Sequence, residues 1–235
     1  MIPENDSRIT TETITFKGAS GDVKAYLVRP AGKTKAPGVV IIHENKGLTR
    51  HIKDVARRAA VDGFIVLAPD YMTPVGGTPA NEAEGPERLK GLDMEKVKGD
   101  GLASVDYLRG RPDCTGKVGT IGFCWGGAVS NRIAVNDPKL DAGVVFYGVS
   151  PEATDVPKIK AKMMLHYGSL DARINAGVPA YEEALKKAGK DYQLFMYEGA
   201  EHAFHNEDNG PRHHPEHSKT AWQRTMDFLK KTLAA

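Results

Sequence analysis

Residues 122–126 read Gly-Phe-Cys-Trp-Gly, and they follow the apolar run KVGTIGF at 117–123. A cysteine framed by two glycines after a buried strand has the form of a nucleophile elbow, G-x-C-x-G in place of G-x-S-x-G. Such a turn drives its central residue into sparsely allowed backbone angles, so the flanking positions must be small. It also sets the sulfur of Cys124 at a helix N-terminus, where the dipole favours thiolate. The chemistry open to such a group is covalent acyl transfer. A nucleophile of this kind needs a base, and the base needs an acid to hold its ring. On an elbow fold they follow in the chain order nucleophile, acid, base. Asp171, in HYGSLDAR, comes after the run 162–168, and His202, in YEGAEHAFHNE, after the run 191–198. His205 is the rival base; His202 is preferred because it comes first after its strand, in a G-x-x-H turn. His166 lies inside a strand, and His213, His214 and His217 crowd the start of the last helix, where they are expected to face solvent. A metal site from His202, His205 and His213 has no established ligand spacing. No metal and no cofactor are therefore expected.

Acyl transfer also needs donors for a developing oxyanion. The elbow scheme takes one from the backbone N–H of Trp125 and one from the loop after an earlier strand. That loop reads His43-Glu44-Asn45-Lys46-Gly47, which makes the Asn45 N–H the second donor. Glu44 has two readings: an ion pair with Lys46 or Arg50, or a partner for the thiol proton of Cys124.

The elements that must position these groups alternate. Residues 9–17 and 22–30 read as strands around a turn at Gly18–Gly21. GVVIIHE at 38–44 and FIVLAPD at 64–70 read as strands buried on both faces. Leu48, Ile52, Val55 and Ala59 between them fall at helical spacing, with Gly63 at the C-terminal stop. Residues 71–91 look like a surface excursion, and 94–108 like a helix. Further strands are expected at 117–123, 142–148, 162–168 and 191–198, with helices after Cys124, over 178–187, and through Trp222, Met226, Leu229 and Leu233. This alternation predicts an α/β fold with a mostly parallel central sheet and helices on both faces, and the elbow at Cys124 makes it an α/β-hydrolase fold. The whole chain, 1–235, reads as one domain.

With 32 basic and 30 acidic residues and a net charge of +2, the chain gives no electrostatic case for nucleic acid or membrane as partner. No apolar run reaches the roughly 18 residues of a membrane span. MIPENDSRIT at the start lacks the basic and apolar regions of a secretory signal. A cytoplasmic protein is expected, although a leader removed earlier would leave the same sequence. Cys114, in RPDCTGK, is read as a loop cysteine without chemistry, and two cysteines cannot form a disulfide framework. The expected partner is a small-molecule substrate, acted on by a monomer or small homo-oligomer.

IIHENKGL, TIGFCWGG, YGSLDAR and EGAEHAF together resemble the dienelactone hydrolase family, over about residues 12–233. The resemblance implies hydrolysis of an enol-lactone or related ester through a thioester acyl-enzyme. It assigns Cys124 as nucleophile, Asp171 as acid, His202 as base and Glu44 as acceptor of the thiol proton. It departs at one point: the family arginine a few residues past the catalytic histidine is missing from His202-Ala203-Phe204-His205-Asn206. Arg88 and Arg173 are the substitutes for holding a substrate carboxylate. The alternatives are a broad carboxylesterase or thioesterase on the same residues, a non-catalytic binding protein, or a redox-sensing thiol, for which Cys114 is the only available resolving partner.

Overall fold

A computed structural model describes residues 1–234. The chain is α/β, with eight strands in a mixed, mostly parallel sheet, and it divides into two compact units, Met1–Thr120 and Ile121–Ala234.

The first unit opens with an antiparallel hairpin of β1 (Ile9–Gly18) and β2 (Gly21–Pro30), in register from Ile9 opposite Pro30 to Gly18 opposite Gly21. β3 (Ala36–Ile42) is followed by α1 (Arg50–Val61), which Thr49 caps. β4 (Ile65–Pro69) then pairs antiparallel with β2 and parallel with β3. All five residues of β4 are buried, so both faces of that strand are covered, as its unbroken apolar sequence requires. Two short helical turns and α2 (Gly85–Leu89) occupy the excursion, and α3 (Met94–Arg109) follows. β5 (Cys114–Phe123) starts in the first unit and ends in the second. Cys114 is thus the first residue of a strand and not part of a loop. Its sulfur is buried, and burial pushes its thiol pKa up despite a hydrogen bond from the Gly116 N–H.

The second unit continues with α4 (Trp125–Asn136), β6 (Ala142–Phe146) and β7 (Lys162–Gly168). After these come α5 (Ala172–Asn175), α6 (Val178–Lys187), β8 (Tyr192–Tyr197) and α7 (Pro215–Leu233). β6, β7 and β8 run parallel, with Phe146 opposite His166 and Gly168 opposite Tyr197. Their carboxyl ends therefore share one edge, where functional groups of parallel sheets collect. No helix among the described residues is long and apolar enough to cross a membrane.

Candidate active site

The turn after β5 is built from backbone packed against backbone. Cys124 sits at φ 54° and ψ −115° as the N-cap of α4. A Cβ at position 122 would overlap the Gly126 carbonyl oxygen and stand 2.5 Å from its carbon. Farther along α4, a Cβ at Gly127 would lie 2.8 Å from the Gly148 Cα, which brings the helix start hard against the end of β6. The Cys124 N–H donates to the Phe146 carbonyl at 2.9 Å. Glycine is used here because nothing larger fits, and the tight turn holds the sulfur half-buried.

Asp171 and His202 are brought together by stitching between the loops after β7 and β8. Ser169 N–H donates to the Tyr197 carbonyl at 2.9 Å and Leu170 N–H to the Ala200 carbonyl at 3.0 Å. Gly199 N–H returns a bond to Ser169 Oγ at 2.8 Å. Asp171 is 7 % exposed. Its Oδ1 caps α5 by accepting from Ile174 N–H, and its Oδ2 accepts from His202 Nδ1. The other ring nitrogen, Nε2, lies 3.1 Å from Cys124 Sγ. Sulfur, imidazole and carboxylate form one hydrogen-bonded line within the second unit.

Partial burial of His202 works against its charge, but hydrogen bonds to Asp171 and Cys124, and the charges of both, raise its pKa from 6.5 to about 9. The imidazolium is then the favoured form at neutral pH, in an ion pair with Asp171. Because the folded pKa lies above the unfolded one, the stabilisation is complete below pH 6.5 and is lost as pH rises through about 9. An alkaline limb in kcat/KM near pH 9 is expected, moving down in Asp171→Asn. A pH profile flat to pH 10 in the wild type would contradict the ion pair.

The other histidines have different surroundings. His205 is 1 % exposed, its ring against Phe123 and Phe146, each at 5.1 Å, and Trp222 at 5.7 Å. His166 bonds Tyr197 Oη and Thr225 Oγ1, and burial pushes its pKa down to about 3. His214 and His217 do not simply face solvent: they are half-buried, their rings 3.9 Å apart, and His214 caps α7. No three His, Cys, Asp or Glu side chains among the described residues gather as metal ligands would.

In the first unit, Glu44 is 7 % exposed, just past β3, and Asn45 is half-buried beside it. Buried His43 donates from Nδ1 to the Glu44 carbonyl and accepts the Tyr71 N–H at Nε2, which fixes a neutral ring. The excursion wraps this loop. Thr78 Oγ1 accepts the Leu48 N–H at 2.7 Å, and a Cβ on Gly85 would meet Lys46 Cα at 2.6 Å. Lys46 pairs with Glu82 at 3.5 Å. Arg88 is held by the excursion itself, donating to the Gly77 carbonyl at 2.9 Å and pairing with Glu84. Arg173 is exposed and borders a recess with Leu170, Glu201 and Arg212 along the edge of Asp171 and His202. Trp125 is half-buried at the first position of α4. The loop stitching and α5 were not foreseen from the sequence; Gly168 and Gly199 were the available signal, since a Cβ on Gly168 would stand 2.5 Å from the Ala200 carbonyl oxygen.

A parallel sheet with an elbow after one strand, and an acid and a histidine after two later ones, defines the α/β-hydrolase class. The chain is 30% identical to a protein of Salmonella typhimurium provisionally named a carboxymethylenebutenolidase, over 97% of this chain and 90% of that one. It is 33% identical to Protein usf of Aquifex pyrophilus, over 94% of this chain and 99% of that protein. A crystal structure described as a provisional dienelactone hydrolase from Klebsiella pneumoniae superposes with a TM-score of 0.84 at 25% identity, covering 95% of this chain and 99% of that one. The pattern of the dienelactone hydrolase family matches residues 23–233, and the chain belongs to that family of hydrolases.

Proposed function

We propose that the protein hydrolyses small lactones and carboxylic esters through Cys124, His202 and Asp171, by way of a thioester acyl-enzyme. One observation carries this reading: a single imidazole reaches Cys124 Sγ at 3.1 Å with one nitrogen and Asp171 with the other. The thiolate attacks the acyl carbon, forming the C–S bond and moving the carbonyl electron pair onto oxygen. The backbone N–H groups of Trp125 and Asn45 are the proposed donors to that oxyanion. Removing one such donor typically costs 10²–10³-fold in kcat. When the oxyanion collapses, the C–O bond breaks and His202 Nε2 gives its proton to the leaving oxygen. In a lactone that oxygen stays tethered to the acyl chain. With the thiolate charge gone, His202 is a better base. It takes a proton from water, hydroxide attacks the thioester, the C–S bond breaks, and thiolate returns beside the protonated His202 while the carboxylic acid leaves and gives its proton to solvent.

Asp171 holds the ring with Nδ1 protonated and supports its charge. The family resemblance makes Glu44 the proposed acceptor of the thiol proton whenever Cys124 is neutral. Among the two arginines suggested for a substrate carboxylate, Arg173 suits the role better, because it borders the Asp171–His202 recess while Arg88 is tied to the carbonyls of its own loop.

Steady-state and single-turnover kinetics on cis-dienelactone and p-nitrophenyl acetate test the reading. A higher kcat/KM on the lactone is expected, with Glu44→Gln slowing acylation by at least roughly tenfold, less than the typical 10²–10⁴-fold of general-base help because His202 covers part of it. Equal turnover of many acyclic esters with no lactone activity would favour a broad esterase. Acylation at the wild-type rate in Glu44→Gln would make Glu44 structural.

A further inference from the structure

Among the described residues three non-glycines carry a positive φ: Cys124 at 54°, Tyr147 at 40° and Ala203 at 63°. Cys124 belongs to the elbow and Ala203 follows His202. Tyr147 has no part in the reaction set out above, and a bulky side chain in that region of backbone space is rare.

Its backbone is held there from every side. The Tyr147 N–H donates to the His166 carbonyl at 2.8 Å, continuing the ladder between β6 and β7. The carbonyl before it, on Phe146, is the anchor of the Cys124 N–H at 2.9 Å. The residue after it, Gly148, is pressed on Gly127, where a Cβ would stand 2.5 Å from the carbonyl carbon. Relaxing φ would give up the ladder, the nucleophile's anchor or the contact of α4 with β6. Strain of this kind persists only where the surroundings over-determine it.

The strained backbone delivers a fully buried ring to His202. The two ring centroids are 5.2 Å apart, with planes at 61°. Phe204 at 5.6 Å and Phe146 at 6.0 Å back the tyrosine on its other sides. Asp171 and Cys124 bond the two ring nitrogens in the plane of the imidazole, which leaves its faces to packing. The Tyr147 ring, at 61° to that plane, limits how far it can rock.

We propose that Tyr147 is a positioning residue, whose ring sets the tilt of the His202 imidazole on the line from Cys124 to Asp171. The inference rests on the reading of those three residues as the reaction centre. Its consequence is a tight link between nucleophile and base: the segment that anchors the Cys124 backbone also orients the ring that receives its proton.

Tyr147→Phe, Tyr147→Leu and Tyr147→Met separate ring shape from mere volume. Each is purified, checked for a cooperative melt, and compared with wild type for kcat, KM and the pH profile of kcat/KM on a small lactone. Tyr147→Phe is expected to stay within threefold of wild type in kcat. Tyr147→Leu is expected to lose at least tenfold in kcat with KM within twofold, and its alkaline limb to fall below the wild-type position. Tyr147→Met is expected to behave like Leu and serves if Leu does not fold. A folded Leu or Met variant with wild-type kcat and alkaline limb would overturn the inference, as would a Phe variant impaired as badly as Leu. Cys124→Ala, run beside them, keeps the two claims apart. If it is inactive while Leu is normal, only the role of Tyr147 falls; if it retains turnover, the reaction centre falls with it.

Discussion

Cys124→Ala and His202→Ala are each expected to lower kcat by roughly 10⁴-fold or more, and the double variant to be scarcely worse than either. The two side chains work as one unit. Without the imidazole the sulfur loses the partner that holds its proton and returns it to the leaving oxygen. Without the sulfur the imidazole has nothing to activate. Multiplying losses in the double variant would mean that they act independently. His205→Ala is the matched control. Its ring is packed among Phe123, Phe146 and Trp222, so the change should lower stability while each folded molecule keeps its rate. An inactive His205→Ala beside an active His202→Ala would reassign the base.

Gly122→Ala is expected to have the second largest effect, on stability and rate together. A single methyl there meets the backbone of Gly126 and Gly127, which has no flexible end to yield. Overpacking typically costs about 1–3 kcal/mol, and contact with backbone belongs at the top of that range. For a chain of this size about 3 kcal/mol corresponds to a fall in Tm of roughly 6–12 °C. The elbow must open to admit the methyl, so Cys124 Sγ leaves its 3.1 Å contact with His202. A melt and a turnover assay on the same sample check both parts. An unchanged Tm with wild-type kcat would show that the turn is not tight.

The candidate site was legible in the sequence to the extent that its geometry depends on local rules. The elbow announces itself because only glycine fits at 122. Asp171 and His202 could be chosen because both stand just past apolar runs that could only be buried strands. The strands themselves were readable from unbroken apolar stretches, to within a few residues at their ends: 38–44 was expected where β3 ends at Ile42. What stayed hidden depends on the partner and not on the residue. Nothing local distinguishes Tyr147 from any other aromatic at a strand end; its strain comes from His166, Cys124 and Gly127 acting together. Arg88 looked available for substrate because its sequence neighbours gave no sign that it would bind the carbonyls of Gly76 and Gly77. Cys114 looked like a loop residue because Asp-Cys-Thr-Gly carries turn chemistry, yet it opens β5 and is buried.

The central claim is that catalysis passes through a covalent bond to one sulfur. Rapid acid quench during turnover of a small lactone, followed by intact mass and peptide mapping, tests it most directly. Because a lactone keeps its leaving oxygen, the predicted adduct adds the full substrate mass. It should appear on the peptide holding Cys124, rise within the first turnover, decay with product formation, and release its label to hydroxylamine as a thioester does. It should be missing in Cys124→Ala. Turnover that continues in Cys124→Ala, or an adduct that maps to Cys114 or to no cysteine, would contradict the account.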